Sequence, residues 1–245
     1  MAHLHRFANP NRFLKISRTI LPWSNLFAGA LLIAGLYFAL FNSPADAEMN
    51  QNVRIMYVHV PSAWVAVACY SLIALASFVA LVWRHPLAHV TAHAAAPIGL
   101  AFTMIVIATG MLWGQATWGK PWVWDLRLTS VAILAFLYLG HIALTHAFDN
   151  RQRGANAAAI LALVGAVNIP IIRGSVKWFN EQSTVHQTAS VTRLGSPAID
   201  ASMLTPLLLM ALAFTAIFVS LLLLRIQSEL NTRKIEALRL SQTGR

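Results

Sequence analysis

Apolar residues in this chain do not alternate with polar ones at the period of two that marks a strand. They come in blocks of about 18–22 residues, long enough for a helix to cross a hydrocarbon layer of about 30 Å. Inside lipid every backbone N–H and C=O must be satisfied within its own segment, so each block is predicted to be a helix. The pattern predicts six transmembrane helices, at about 20–41, 63–83, 94–112, 129–148, 155–172 and 206–224. No linker rich in Pro, Gly or Ser and no internal repeat separates them. Residues 1–245 therefore read as one all-α membrane bundle.

Composition supports this class. Hydrophobic residues make up 58% of the chain and charged ones 11%, against about 45–50% and 25% in soluble proteins. The net charge of +10 is of a size that can attract nucleic acid, but its placement argues against that partner. The cations sit at the ends of the apolar blocks, where Lys and Arg anchor helices and set their orientation. Segments 1–19, 84–93, 149–154 and 225–245 carry 12 Lys and Arg in 56 residues. The opposite segments 42–62, 113–128 and 173–205 carry 6 in 70. This bias predicts both termini in the cytoplasm of a multi-pass inner-membrane protein. The basic tail 225–245 reads as a helix leaving the membrane, a solvated anchor.

Ala45-Asp46-Ala47 resembles a signal-peptidase site. The apolar block before it is longer than the roughly 7–15 residues of a signal-peptide core, so it is expected to stay as the first span. The one cysteine, Cys69, lies inside an apolar block, and there is neither a CxxC nor a C-x-x-C-H. Disulfide exchange, a thiolate metal site and thioether attachment of haem are not expected.

The chemistry concentrates in the loops predicted to face outward. Trp113, Trp118, Trp122 and Trp124, four of the eight tryptophans, fall within twelve residues of the outer loop 113–128. An aromatic belt at the headgroup level is the simplest reading. Four rings in one loop with glycine and proline breakers suit a built surface for a flat apolar ligand. Pro121 suits the first position of a short helix, on which Trp122, Asp125 and Leu126 would share a face and Trp124 and Arg127 another. Gly114-x4-Gly119-Lys120 has the start of a phosphate-binding loop. Pro121 stands where that motif needs Ser or Thr, and no strand precedes it.

Of the nine histidines, only His59 and His186 are predicted to face outward. Each alone is an ordinary loop residue. Together, flanking the Trp loop from two segments, they fit two imidazole ligands for a metal. His85-x3-His89-x3-His93 could line one helical face and hold a metal, but Pro86 and the lack of a nearby carboxylate or cysteine favour a hydrated loop. His141, within a helix, is expected to be hydrogen-bonded inside the bundle.

Trp118-Gly-x-x-Trp122-x-Trp124-Asp125-x-Arg127-Leu-Thr129 resembles the signature (WWD) stretch of the tryptophan-rich haem-handling family. The six-span length and Arg54…His59-Val-Pro61 resemble its CcmC branch, which serves bacterial cytochrome c maturation. The resemblance runs from the first helix through Thr205. It implies a b-type, non-covalent haem held at the periplasmic face on Trp113, Trp118, Trp122, Trp124 and Asp125. His59 and His186 would be the axial ligands, with Arg54 and Arg127 meeting the propionates. It further implies delivery of haem to the membrane-anchored chaperone CcmE, assisted by the ABC transporter subunits CcmA and CcmB and the small protein CcmD. One departure is visible, since family members often have tandem tryptophans where this chain has Pro121-Trp122.

The leading expectation is a delivery subunit with no turnover chemistry. A haem lyase is the alternative, though its larger relatives carry helices and histidines for which this chain has no room. A transporter with a membrane-crossing path is the other, for which Pro97-x-Gly99 and Asn168-x-Pro170 are the candidate helix breaks.

Overall fold

The computed structural model describes residues 9–178 and 199–243. Its helices are α1 Pro10–Tyr37, α2 Met56–Trp83, α3 Ala88–Trp118, α4 Leu126–His146, α5 Arg151–Gly165, α6 Asn168–Trp178 and α7 Ala201–Thr243. Six helical stretches among the described residues are long and apolar enough to cross a membrane. α5 and α6 together supply the fifth. The protein is therefore an all-α bundle with six candidate spans.

The ends of the helices follow local chemistry. Asn9 caps α1 by accepting the Asn11 amide at 2.9 Å, with Pro10 in the first turn, where its missing N–H leaves no bond unmade. Asn150 caps α5 through the Gln152 and Arg153 amides, and Asp200 accepts the Ser202 amide at 2.8 Å at the head of α7. Several helices run past the apolar blocks. α3 begins at Ala88 and continues to Trp118, so the expected loop 113–128 is helical in its first third. Gaining the extra turns costs little, because each added residue closes one backbone bond.

The fifth span breaks at 166–167. Pro170 cannot donate to the Ala166 carbonyl and its ring would clash there. The Ala166 carbonyl instead accepts the Ile169 amide at 3.1 Å, and Asn168 Nδ2 donates to the Ser130 carbonyl at 2.9 Å. Pro97, the other expected break, sits inside an unbroken α3.

Small residues set the packing, as they do where helices in lipid lack a hydrophobic drive to associate. Ala66, Cys69 and Ala76 of α2 share a buried core with Ala92, Ala95 and Ala96 of α3. Cys69 Sγ donates to the Ala95 carbonyl at 3.2 Å. Tyr138 of α4 is fully buried, donating to the Ala66 carbonyl at 2.6 Å and meeting Tyr70 edge-on. α1 lies along α7, joined to it by the hydroxyls of Ser24 and Ser220 at 2.5 Å and by Gln227 donating to Ser17 at 3.0 Å. His141 is buried, with Nδ1 3.1 Å from the Ala158 carbonyl, as expected of a histidine bonded within the bundle. A smaller apolar cluster of Leu87, Val90, Ala94, Ile226 and Leu230 closes the opposite end from the Trp-rich segment.

Candidate functional site: an aromatic rim around His59

One end of the bundle collects the start of α2, the end of α3, the 119–125 connection and the start of α4. A 3-10 turn at Gln51–Ile55 leads straight into α2, which puts Arg54 on the turn and His59 in the first helical turn. His59 Nδ1 lies 2.9 Å from Thr109 Oγ1 on α3. That hydroxyl spends its own proton on the Ile105 carbonyl at 2.6 Å, so it can only accept from the ring. The bond therefore fixes the neutral imidazole as Nδ1–H with its lone pair on Nε2, the tautomer a ligating histidine needs.

Trp113 packs edge-on against His59, with ring centroids 5.7 Å apart at 87°. Its indole N–H points at Met49 Sδ, 3.1 Å away. Met49 belongs to a tight turn in which the Asp46 carboxylate accepts the Glu48 and Met49 amides. Arg54 Nη2 donates to the Ser43 carbonyl at 3.4 Å, and Ser43 also meets the Tyr57 hydroxyl. The segment 43–59 thus folds as a unit over the end of α3.

Beyond Trp118 the chain turns at Gly119, whose φ of 68° is the left-handed conformation glycine adopts without strain. The returning strand of chain passes close to Gly114, where a Cβ would lie 2.9 Å from the Lys120 carbonyl oxygen. The helix expected from Pro121 does not form. Residues 119–125 are irregular, and Asp125 instead caps α4, accepting the Leu128 amide at 2.7 Å. A carboxylate at an N-cap satisfies a backbone donor that a helix begun at Pro121 would have satisfied internally. The expected face-sharing of Trp122 with Asp125 and Leu126, and of Trp124 with Arg127, is therefore replaced. Trp122 and Trp124 meet each other, edge to face at 5.5 Å and 78°.

Exposure separates the roles of the rings. Trp124 is 78% and Trp118 43% exposed, whereas Trp113 and Trp122 are partly covered. Asp125 is buried. Arg127 Nε donates to Ser175 Oγ on α6 at 3.3 Å, tying the start of α4 to that helix. Two buried donors on this rim, Trp122 Nε1–H and Arg54 Nε–H, have no acceptor among the described residues. His186 lies outside the described residues. Thr109, Ser43, Met49 and Ser175 carry no motif that marks them in the sequence; only their tertiary contacts do.

Fold and rim together define a polytopic helical membrane protein with an imidazole set in an aromatic surface at one end. The family model of heme exporter protein C, CcmC, matches residues 3–241. The heme exporter protein C of Bradyrhizobium diazoefficiens is 48% identical over 238 residues, covering 97% of this chain and 89% of that protein. Those of Haemophilus influenzae and Escherichia coli are 43% and 41% identical, covering 93% and 92% of this chain and 91% and 89% of theirs. The chain belongs to the heme exporter protein C family.

Proposed function

We propose that this protein binds non-covalent b-type haem on the aromatic rim and passes it to the haem chaperone CcmE during cytochrome c maturation, as a delivery subunit without turnover chemistry. The observation that carries this reading is the His59–Thr109 bond, which directs an Nε2 lone pair from a ring already seated against Trp113. His59 and His186 are the proposed axial ligands, and Trp113, Trp118, Trp122 and Trp124 the apolar platform. Arg54 Nε and Trp122 Nε1, which lack an acceptor among the described residues, suit a ligand that brings carboxylates, because a buried N–H without an acceptor costs about 1–3 kcal/mol until one arrives. Arg54 and Arg127 are proposed to meet the propionates, while Asp125 holds the start of α4 and with it the direction of the Trp122–Trp124 pair.

The Lys and Arg excess on the opposite end supports a rim on the periplasmic side of the bacterial inner membrane, with both termini cytoplasmic. The names of the relatives suit a complex of the ABC transporter type, with CcmA, CcmB and CcmD as partners. The break at Asn168 needs no substrate to complete it, since Ser130 already takes the Asn168 amide.

The test is the absorption spectrum of the purified protein. Acid-acetone-extractable haem with a low-spin, six-coordinate spectrum is expected. His59→Ala or His186→Ala should each lose or change that spectrum, and added imidazole should partly restore it. A low-spin spectrum unaltered in both variants refutes the ligand assignment.

A further inference from the structure

The end of the bundle opposite the rim holds a second group of imidazoles. The first residues of α3, the last of α4 and the outer part of α7 border an open cleft of about 90 Å³, lined by His89, His93, His141, His146, Glu229 and Arg233 among others. Pro86 lies before α3, so His85 is off this face, while His89 and His93 stand one turn apart on it. The carboxylate missing from the local sequence comes from α7. Glu229 Oε2 lies 3.6 Å from His93 Nδ1, and Glu229 Oε1 is held at 2.9 Å by Arg233 Nε.

Glu229 favours the His93 tautomer with its proton on Nδ1, the ring edge nearer the carboxylate. In that tautomer the lone pair is on Nε2, which lies 3.5 Å from His146 Nε2. The two ring centroids are 5.4 Å apart, at 67°. Two ligands of a tetrahedral ion with metal–nitrogen bonds of about 2.0–2.1 Å stand about 3.4 Å apart. The observed separation is thus the edge of such a tetrahedron. Without metal one proton bridges the pair. Moving that proton to Nδ1 of His146 leaves a lone pair on both Nε2 atoms, with no proton lost.

We propose that His93 and His146 form a binding site for a divalent transition-metal ion of the zinc, nickel or copper class, with Glu229 orienting His93. The protein supplies two nitrogens and water fills the rest of the shell, because no set of three His, Cys, Asp or Glu side chains converges on one point among the described residues. The surroundings select the metal. Arg151 and Arg233 line the same cleft, and Arg225 approaches it to donate to the Ala94 carbonyl. Glu229, the one carboxylate lining the cleft among the described residues, is held by Arg233, so magnesium and calcium, which demand oxygen ligands, are disfavoured and the imidazole nitrogens suit a borderline ion. Bound metal would pin α3 to α4 and, through Glu229, to α7. This site is separate from the rim and does not depend on haem.

The test uses full-length, tag-free protein in detergent in a His59→Ala background, which removes a competing outer imidazole. Zinc is titrated against a chromophoric chelator. One equivalent is expected, with affinity falling at least tenfold in His93→Asn and in His146→Asn and staying unchanged in His85→Asn. Glu229→Gln keeps both ligands and should weaken binding by about 10–100-fold, as loss of an orienting carboxylate does. Copper provides a readout that needs no cleft variant. The bound ion should show hyperfine coupling to two imidazole nitrogens. Zinc affinity that is equal in all these variants, or a copper spectrum without nitrogen coupling, would overturn the proposal.

Discussion

Thr109→Val isolates the contribution of a residue that is not itself a proposed iron ligand but holds one. Valine keeps the β-branched shape of threonine, so packing on α3 is conserved, but the acceptor 2.9 Å from His59 Nδ1 is lost. The Ile105 carbonyl loses only an extra donor, since it keeps its helical partner. His59 then has a half-buried N–H facing a methyl group, and its ring is free to rotate or to change tautomer. Partners of this kind typically change metal affinity by about 10–100-fold, equivalent to about 1.4–2.8 kcal/mol. The expected result is haem that leaves about 10–100-fold faster when apomyoglobin is added to trap it, while the haem still bound keeps its six-coordinate spectrum. Thr109→Ser restores the hydroxyl and should behave like the parent protein. The thermal unfolding midpoint should move little in either variant. Haem release from Thr109→Val at the parental rate would refute the orienting role. Loss of the spectrum as complete as in His59→Ala would show instead that the whole rim depends on this bond.

Trp122→Ala with Trp124→Ala should weaken haem retention, by about 0.5–1.5 kcal/mol for each lost ring contact, and reduce haem-stained CcmE in membranes without abolishing axial ligation. Normal loading of the chaperone would reduce the rim to an aromatic belt. Asp125→Ala removes the cap of α4 and should cost about 0.5–2 kcal/mol of stability, seen as a lower unfolding midpoint. Asp125→Asn keeps the cap, so its midpoint should stay near the parental one and any loss should appear in handover to CcmE. For sidedness, a cysteine at Ala116 in a Cys69→Ala background should react with an impermeant maleimide added to intact spheroplasts, and one at Gln152 should not. The reverse pattern would invert the topology.

Much of the architecture is legible in the unfolded chain. Six apolar blocks became six candidate spans because hydrocarbon leaves the backbone no partner outside its own segment. Length and composition then suffice. Pro170 was visible as a break for the same local reason. The boundaries were less legible. The end of α3 at Trp118 depends on Gly119 adopting a positive φ, and the start of α4 depends on Asp125 prevailing over Pro121 as the first stable cap. Both are choices between two allowed signals a few residues apart.

The fine structure of both polar ends was decided by tertiary contacts. His59 and the tryptophans stood out by type and spacing, but nothing in the sequence paired His59 with Thr109, Arg127 with Ser175 or His93 with Glu229. The reason lies in the helices themselves. A span that is apolar on every side carries little record of which face turns inward. Rotation and register are set when small residues let the backbones approach. The sequence by itself determined how many helices are long and apolar enough to cross the membrane and which chemistry gathers near their ends, whereas the packing of those helices decided which side chains His59 and His93 meet.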